Sequence, residues 1–203
     1  MALIGQFRVV DDPNRFVWLR GFANMETRAQ ALGAFYGGPV WKAHKDGANA
    51  TMVDSDDVLL LRPARPNSGF ELPRNGRDES AGKEPPGKLY VSNVYYFREP
   101  MNNDFVSLFE QVLRPAATRA GAVVRAYFVT EPSANNFPAL PIRANENVFA
   151  WFGEFADLPA YDRYIAVLSR SADWQSAVRS FEAKLSAPVE VRRLTPTSRS
   201  RLR

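Results

Sequence analysis

Alternating hydrophobic and polar positions predict a β-hairpin near the start of the chain. Residues 4–10 and 15–22 both show the two-residue period of a strand, in which successive side chains point to opposite faces. The segment between them, residues 11–14, consists only of Asp, Pro and Asn, which all favour turns. Two strands joined by a short polar turn are typical of a hairpin.

After the hairpin the hydrophobic period changes to that of a helix. Apolar side chains recur three and four positions apart over residues 25–45, and Asn24 in front of them is a suitable N-cap. The Gly-Gly-Pro sequence at residues 37–39 should divide this region into two helices, because proline is well accommodated in the first turn of a helix. Residues 58–62 are mostly apolar and predict a short strand, so the first segment has the order β-β-α-β.

The C-terminal part of the chain predicts a complete β-α-β-β-α-β unit. Pro115 should kink the first of its helices, and Gly121 suits the C-terminal cap of that helix. This order of elements is that of a ferredoxin-like fold. The predicted strands are residues 88–98, 122–130, 147–155 and 189–194, and the predicted helices are residues 103–120 and 159–185.

An internal repeat includes all four tryptophans of the chain. Trp18 and Trp151 are 133 residues apart, as are Trp41 and Trp174, and nine identities occur at this offset across residues 16–63. Only about three identities would arise by chance from average residue usage. A repeat of this length is one supersecondary unit used twice, so the first segment corresponds to the last four elements of the C-terminal unit.

These patterns predict an α+β chain with two tandem ferredoxin-like halves, the first of which lacks its opening strand and helix. Because the strands beside an empty position would have unpaired edges, we expect one of three remedies: residues upstream of Met1, a strand from a partner chain, or collapse of the two strands toward each other. The region between the halves is rich in Gly, Pro and charge, and predicts a mobile linker. The predicted segments are residues 1–63 for the N-terminal half, 64–88 for the linker, 89–197 for the C-terminal half and 198–203 for a basic tail.

Three strings in the first segment resemble bacterial members of the NIPSNAP family. They are RFVWLRGF, FYGGPVWKAH and ANATMVDSDDVLLLRPA, in that order. The resemblance covers residues 5–64 closely and residues 88–196 more loosely. It implies two tandem ferredoxin-like halves of the dimeric α+β-barrel type, and hence a homo-oligomer. It also implies a small-molecule-binding barrel, with a cofactor-free oxygenase or an isomerase as its enzymatic form. A non-catalytic protein-interaction module is the alternative.

Composition removes several kinds of chemistry. The 203 residues include no Cys and one His, which excludes a thiolate nucleophile, a disulfide and a Cys- or His-rich metal site within this sequence, so no metal ligand or cofactor is assigned. Apolar runs are far shorter than a membrane helix requires, and we expect a soluble cytoplasmic protein without a membrane partner. The net charge is +4, but several of its arginines are near the C-terminus and no nucleic-acid motif accompanies them, so no nucleic-acid partner is expected.

Trp18 and Arg20 are the first candidates for ligand binding. They share one face of a predicted strand with Phe16 and Phe22, and the repeat places Gly153 at the position of Arg20. A charge on an aromatic face needs a partner, which is either an anionic ligand or an acidic residue across a dimer interface. Trp18 is either a wall of an apolar ligand pocket or part of the hydrophobic core.

His44, Tyr95 and Tyr127 complete the set of candidate binding residues. His44 is the single His, and it is either a general base or haem ligand or a polar residue at a helix end. Tyr95 and Tyr127 lie on predicted strands and could place a hydroxyl group inside a barrel. No nucleophile, dyad or metal set accompanies them, so the sequence names no reaction and assigns no catalytic residue.

Overall fold

The structure, a computed structural model, describes residues 1–54, 56–72, 87–100 and 103–202, and it contains seven strands and six α-helices in these residues. A π-helical turn, Phe109–Leu113, joins the helix Asn103–Leu108 to the helix Arg114–Arg119. The strands are β1 (Ala2–Val9), β2 (Asp12–Gly21), β3 (Leu61–Pro63), β4 (Leu89–Phe97), β5 (Val123–Thr130), β6 (Asn147–Phe155) and β7 (Glu190–Pro196). The helices are α1 (Met25–Gly37), α2 (Pro39–Asn49), α3 (Asn103–Leu108), α4 (Arg114–Arg119), α5 (Leu158–Leu168) and α6 (Ala172–Phe181).

The strands of the C-terminal part have the ferredoxin-like order. The described sheet is antiparallel and runs β2-β1-β7-β4-β6-β5-β3, with β4 between β6 and β7. In this arrangement the first and third strands of the β-α-β-β-α-β unit are central, and the fourth and second flank them. The α+β class and the ferredoxin-like unit predicted from the sequence are therefore confirmed.

The internal repeat is visible in the bounds of the helices. Asn24 and Asp157, which are 133 residues apart, cap α1 and α5 through their side-chain oxygens. Pro39 and Ala172, at the same offset, begin α2 and α6. The unit β2-α1-α2-β3 is therefore equivalent to β6-α5-α6-β7, element by element.

The two copies of the repeat occupy different places in the sheet. β6 and β7 both pair with β4, whereas β2 pairs with β1 and β3 pairs with β5. β2 and β3 are thus the two edges of the described sheet, and they do not pair with each other. Collapse of these two strands toward each other, one of the three remedies, is not seen in the described residues, because β3 pairs with β5 at one edge of the C-terminal unit and β1 separates β2 from β7 at the other.

Part of the predicted linker is packed against the C-terminal unit. The backbone N–H of Tyr127 donates to the Ser68 carbonyl oxygen at 2.8 Å, and the Ser68 side chain is buried. Phe70 contacts Phe128 and Phe152, with ring centroids 5.3 and 5.1 Å apart. Residues 64–72 therefore depart from the prediction of a mobile linker, because Ser68 and Phe70 anchor them. The rest of the predicted linker, residues 73–86, lies outside the described residues.

The predicted basic tail is also packed over its described length. Leu202 is buried with Phe7, and its N–H donates to the Ile4 carbonyl oxygen at 3.2 Å. Ser200 is buried as well, and its hydroxyl oxygen accepts a hydrogen bond from the backbone N–H of Gln6. Ser200 and Leu202, which alternate with arginines, therefore attach the basic tail to β1.

The helices of the C-terminal unit begin and end at particular residues of the sequence. The long helix predicted for residues 159–185 is two helices, because Ser171 caps α6. Pro115 lies in the first turn of α4, directly after the π-helical turn, and Gly121 ends that helix with a φ of 110°, which favours glycine.

None of the described helices is long and apolar enough to cross a membrane. A cytoplasmic location stays a prediction.

The main hydrophobic core lies between the sheet and helices α3 to α6. Phe105, Phe109, Phe149, Trp151 and Phe181 are buried there. The opposite face of the sheet carries two smaller clusters, which the N-terminal strands, residues 59–72 and the C-terminal residues help to cover. The helix-covered face therefore carries the main core, and the candidate site lies on this face.

Candidate functional site

An open cavity of about 980 Å³ lies between the sheet and the helices α5 and α6. This helix-side cavity has a floor from β4 and β7 and walls from α5, α6 and the segment that links α6 to β7. Its volume is in the range of pockets that hold small molecules. Residues that line it include Asn93, Tyr95, Tyr161, Tyr164, Ile165, Leu168, Trp174, Val178, Leu185 and Val191.

The strand and helix periods explain which side chains reach this cavity. On β4, Asn93 and Tyr95 are two residues apart and therefore lie on the same face of the sheet, the face that the helices cover. On α5, Tyr161, Tyr164 and Leu168 follow the three- and four-residue spacing of one helix face. The cavity therefore forms where the Asn93 amide and the tyrosine hydroxyl groups interrupt an otherwise apolar interface between the sheet and the helices.

Asn93 contributes an unpaired hydrogen-bond donor to the helix-side cavity. Its Nδ2 is buried and has no hydrogen-bond partner among the described residues. The neighbouring positions across the sheet are Trp151 on β6 and Val191 on β7, and neither side chain offers an acceptor for this amide. A buried donor without a partner is unfavourable, so a ligand or water oxygen that accepts from Nδ2 would be stabilised at this point.

The tyrosines of the helix-side cavity stay protonated at neutral pH. Burial raises the pKa of Tyr95, and the nearby indole of Trp151 offsets this rise only in part. The Nε1 atom of Trp151 is buried and makes no hydrogen bond to a described residue. Burial also raises the pKa of Tyr161 and of Tyr164, whose rings stack with centroids 5.8 Å apart. These phenols are therefore neutral hydroxyl groups rather than bases.

Charged groups of the cavity lining are few. Arg98, Arg179 and Glu182 belong to the lining, and all three are exposed. Among the described residues, no group of three or more His, Cys, Asp or Glu side chains is placed to hold a metal ion. The arrangement therefore offers an apolar, aromatic space with neutral hydrogen-bond donors inside it.

Of the residues predicted from the sequence, Tyr95 alone lines the helix-side cavity. Trp18 and Arg20 lie together on β2 instead, with the Arg20 guanidinium 4.4 Å from the centre of the Trp18 ring. Trp18 is 39% exposed, so it is neither a core residue nor a wall of this cavity. His44 is exposed on α2. The structure thus separates the predicted residues into different parts of the molecule.

Tyr127 is part of a hydrogen-bonded group beside the π-helical turn. Its hydroxyl donates to Glu110 Oε1 at 2.7 Å, and the Arg65 guanidinium forms an ion pair with Glu110 at 3.2 Å. Burial raises the pKa of Tyr127, and the hydrogen bond to the Glu110 carboxylate raises it further. This group joins residues 64–72 to the helix that follows β4, and Tyr127 does not line the helix-side cavity.

Asn93, Tyr161, Tyr164 and Trp174 were missed as site residues from the sequence. One signal was available: Asn93 is a polar amide at a core-facing position of the strongly apolar strand β4. The other three have the spacing of ordinary core residues, and nothing in their order distinguishes a cavity wall from a packed interface. Their role depends on how far α5 and α6 stand from the sheet.

The chain matches no known family model and no curated protein. Among solved structures it is similar to a NIPSNAP-like domain protein from Burkholderia xenovorans, with 21% identity over 57% of this chain and 90% of that chain and a TM-score of 0.46. A NIPSNAP family protein from Agrobacterium tumefaciens has 18% identity over 57% of this chain and 99% of that chain, also with a TM-score of 0.46. The chain is similar to proteins of the NIPSNAP family.

A third solved structure is matched over a larger share of this chain. A candidate monooxygenase from Lactobacillus acidophilus matches 96% of this chain and 76% of its own length, with 8% identity and a TM-score of 0.49. The NIPSNAP-like structures instead correspond to little more than half of this chain. These likenesses concern fold, and at such identities they do not carry an activity from one protein to another.

Proposed function

We propose that this NIPSNAP-like chain is a small-molecule-binding protein of the α+β-barrel type, and that its ligand occupies the helix-side cavity. The observation that carries the proposal is the buried, unpaired Nδ2 of Asn93 in a cavity of about 980 Å³. The ligand is mostly apolar and carries one hydrogen-bond acceptor, such as a ketone oxygen. The aromatic rings of Tyr161, Tyr164 and Trp174 contact its apolar part.

The same donors suit a reaction in which negative charge develops on the ligand oxygen. An amide N–H and neutral tyrosine hydroxyls stabilise an enolate better in a partly buried site than in water. Proton transfer at the carbon beside the carbonyl is the step shared by an isomerase and by a cofactor-free oxygenase. The enzymatic form of the proposal is therefore enolate chemistry on a bound ketone: a solvent base that enters the open cavity takes the proton from carbon, and the Asn93 amide donates a hydrogen bond to the oxygen, on which the charge develops.

Binding can be tested with acetophenone as a probe, by isothermal titration calorimetry on the wild type and three variants. Asn93→Leu removes the donor at similar volume and should weaken binding roughly fivefold, the usual effect of one neutral hydrogen bond. Val178→Trp on α6 should weaken binding, because the larger ring occupies part of the helix-side cavity. Val167→Trp on α5 is the matched control, because Val167 is exposed and does not line the cavity. Unchanged binding in Val178→Trp would contradict the proposal.

The enzymatic form has a separate readout. In deuterium oxide, the wild type should accelerate the loss of the acetophenone methyl proton signal in ¹H NMR spectra relative to buffer, and Asn93→Leu should do so less. If the probe binds but its methyl protons exchange at the same rate as in buffer, the protein binds the ligand without activating it. That result would contradict the enolate chemistry.

A second candidate function is association between copies through β2. This strand is an edge of the described sheet, and its exposed side chains include Phe16, which is 53% exposed. An apolar edge strand with free backbone groups favours pairing with another strand. Native mass spectrometry should show a homo-oligomer that Phe16→Lys dissociates, while Arg15→Lys, on the same strand, leaves it intact. A monomeric wild type would contradict this candidate.

A further inference from the structure

Arg20 on β2 and Arg28 on α1 belong to one set of contacts that includes no acidic partner. Arg20 bonds to Tyr36, which stacks on Phe137, and Arg28 bonds to the two residues directly before Phe137. Arg28 is 3% exposed, and its Nη1 donates to the amide oxygens of Asn135 and Asn136 at 3.1 and 2.9 Å. Nη1 of Arg20 donates to the Tyr36 hydroxyl at 3.3 Å. All these acceptors are neutral, and within the described parts of the chain neither guanidinium forms an ion pair with a carboxylate.

This arrangement leaves positive charge uncompensated at a buried position. Buried guanidinium groups are usually paired with an anion, since removing the charge from water is costly. Burial lowers the pKa of Arg28, and the neighbouring positive charge of Arg20 lowers it further. An anion placed between the two arginines would offset both the desolvation of Arg28 and the repulsion between the guanidinium groups.

The groups around Arg28 are fixed in the orientation that such a site requires. The Asn135 amide nitrogen donates to the Leu140 carbonyl oxygen at 2.9 Å, and that of Asn136 donates to the Met25 carbonyl oxygen at 2.6 Å. Both amide oxygens are thereby directed at Arg28, which restrains the guanidinium before any ligand arrives. A restrained donor loses less entropy on binding than a free surface side chain.

Aromatic rings lie beside Arg20. Arg20 stacks on Trp18, and Tyr36 stacks on Phe137 with ring centroids 5.8 Å apart and an angle of 18° between the planes. Neither arginine lines the helix-side cavity, so this is a separate place in the molecule. It combines a cationic pair with flat apolar surfaces.

We propose that Arg20 and Arg28 form a second binding site, for the oxyanion group of a small aromatic compound. Two guanidinium groups suit a carboxylate or a phosphate, because each presents several N–H donors to the same kind of acceptor. The rings of Trp18 and Tyr36 contact the aromatic part of the ligand. A purely structural role, in which Arg28 only attaches α1 to residues 135–136, is the competing account.

Calorimetric titration with benzoate and with inorganic phosphate tests this site, at constant ionic strength so that general salt effects are equal. Benzoate should bind saturably to the wild type and more tightly than phosphate, because it adds contact with the rings. Arg20→Gln should weaken benzoate binding by at least about tenfold, as expected for a lost hydrogen bond to a charged group. Arg15→Gln, an exposed arginine on the same strand, should leave it unchanged.

The controls keep the test decisive. Arg28→Gln should also lose benzoate binding, and circular dichroism shows whether that variant is folded; Arg20→Gln carries the test if it is not. Phosphate binding tighter than benzoate binding would keep the arginine site but overturn the aromatic ligand. Absence of saturable binding of either anion to the wild type, or equal binding by Arg20→Gln, would overturn the site and leave Arg28 a structural residue.

Discussion

Trp18 and Trp151 show how position in the sheet decides the role of a residue. They occupy equivalent points of the repeat, yet Trp151 is 1% exposed and Trp18 is 39% exposed. β6 is central and covered by helices, whereas β2 is an edge strand. Trp151 therefore fills the core, and Trp18 instead provides a ring on which Arg20 stacks.

The two tryptophans should differ sharply on truncation. Trp151→Ala should lower the free energy of unfolding by about 3–5 kcal/mol, as expected when a core Trp leaves a void. Trp18→Ala should lower it by about 1 kcal/mol or less, since a partly exposed side chain loses little buried surface. Urea denaturation of both variants measures the difference. Similar losses in the two variants would mean that β2 is as well covered as β6.

At the level of elements, the π-helical turn is linked to residues 64–72 through the ion pair between Glu110 and Arg65. Burial alone would raise the pKa of Glu110, but hydrogen bonds from Tyr127 and Arg65 outweigh it and lower the pKa below its ordinary value. A carboxyl group with a lowered pKa in the folded state stabilises the fold when it is ionised. Its contribution is present above the pKa of the unfolded chain and is lost as the pH falls through the folded pKa.

Glu110→Gln should remove this pH-dependent contribution. The wild type should be more stable than the variant at pH 7, and the difference should shrink as the pH is lowered from about 5 to about 3, around the ordinary glutamate pKa. Thermal unfolding at a series of pH values measures it. Glu26→Gln, at an exposed position of α1, should show no such trend. A difference that grows at low pH would contradict the sign of the shift.

Hydrogen exchange should show that residues 64–72 are ordered. The Tyr127 amide donates to Ser68, and the Ala64 amide donates to Tyr127, so both should be protected to a similar degree. The exposed Val53 amide, for which the structure gives no hydrogen bond, should exchange much faster. Rapid exchange at Ala64 would restore the interpretation of this segment as a mobile linker.

Much of the fold follows from the sequence, because the hydrophobic periods and the caps at Asn24 and Gly121 act locally. Other features depend on contacts between distant residues. Composition alone made residues 64–72 look like a linker, since Phe70 is only a single apolar anchor, and its partners lie on β5 and β6. The helix-side cavity could not be predicted either, because the spacing of residues within α6 or within β4 does not determine the distance between the two elements.

At the scale of the whole molecule, the two copies of the repeat occupy different places. The strands of the copy β6-α5-α6-β7 lie inside the sheet and form the covered half, whereas the copy β2-α1-α2-β3 supplies both edge strands. The central claim is that the covered half holds a small ligand in the helix-side cavity through Asn93. A crystal structure after soaking with acetophenone tests it most directly. The account predicts the probe ring among Tyr161, Tyr164 and Trp174, with its oxygen about 2.9 Å from Asn93 Nδ2. A cavity that holds only solvent, or that is closed by α6 against β4, would contradict it.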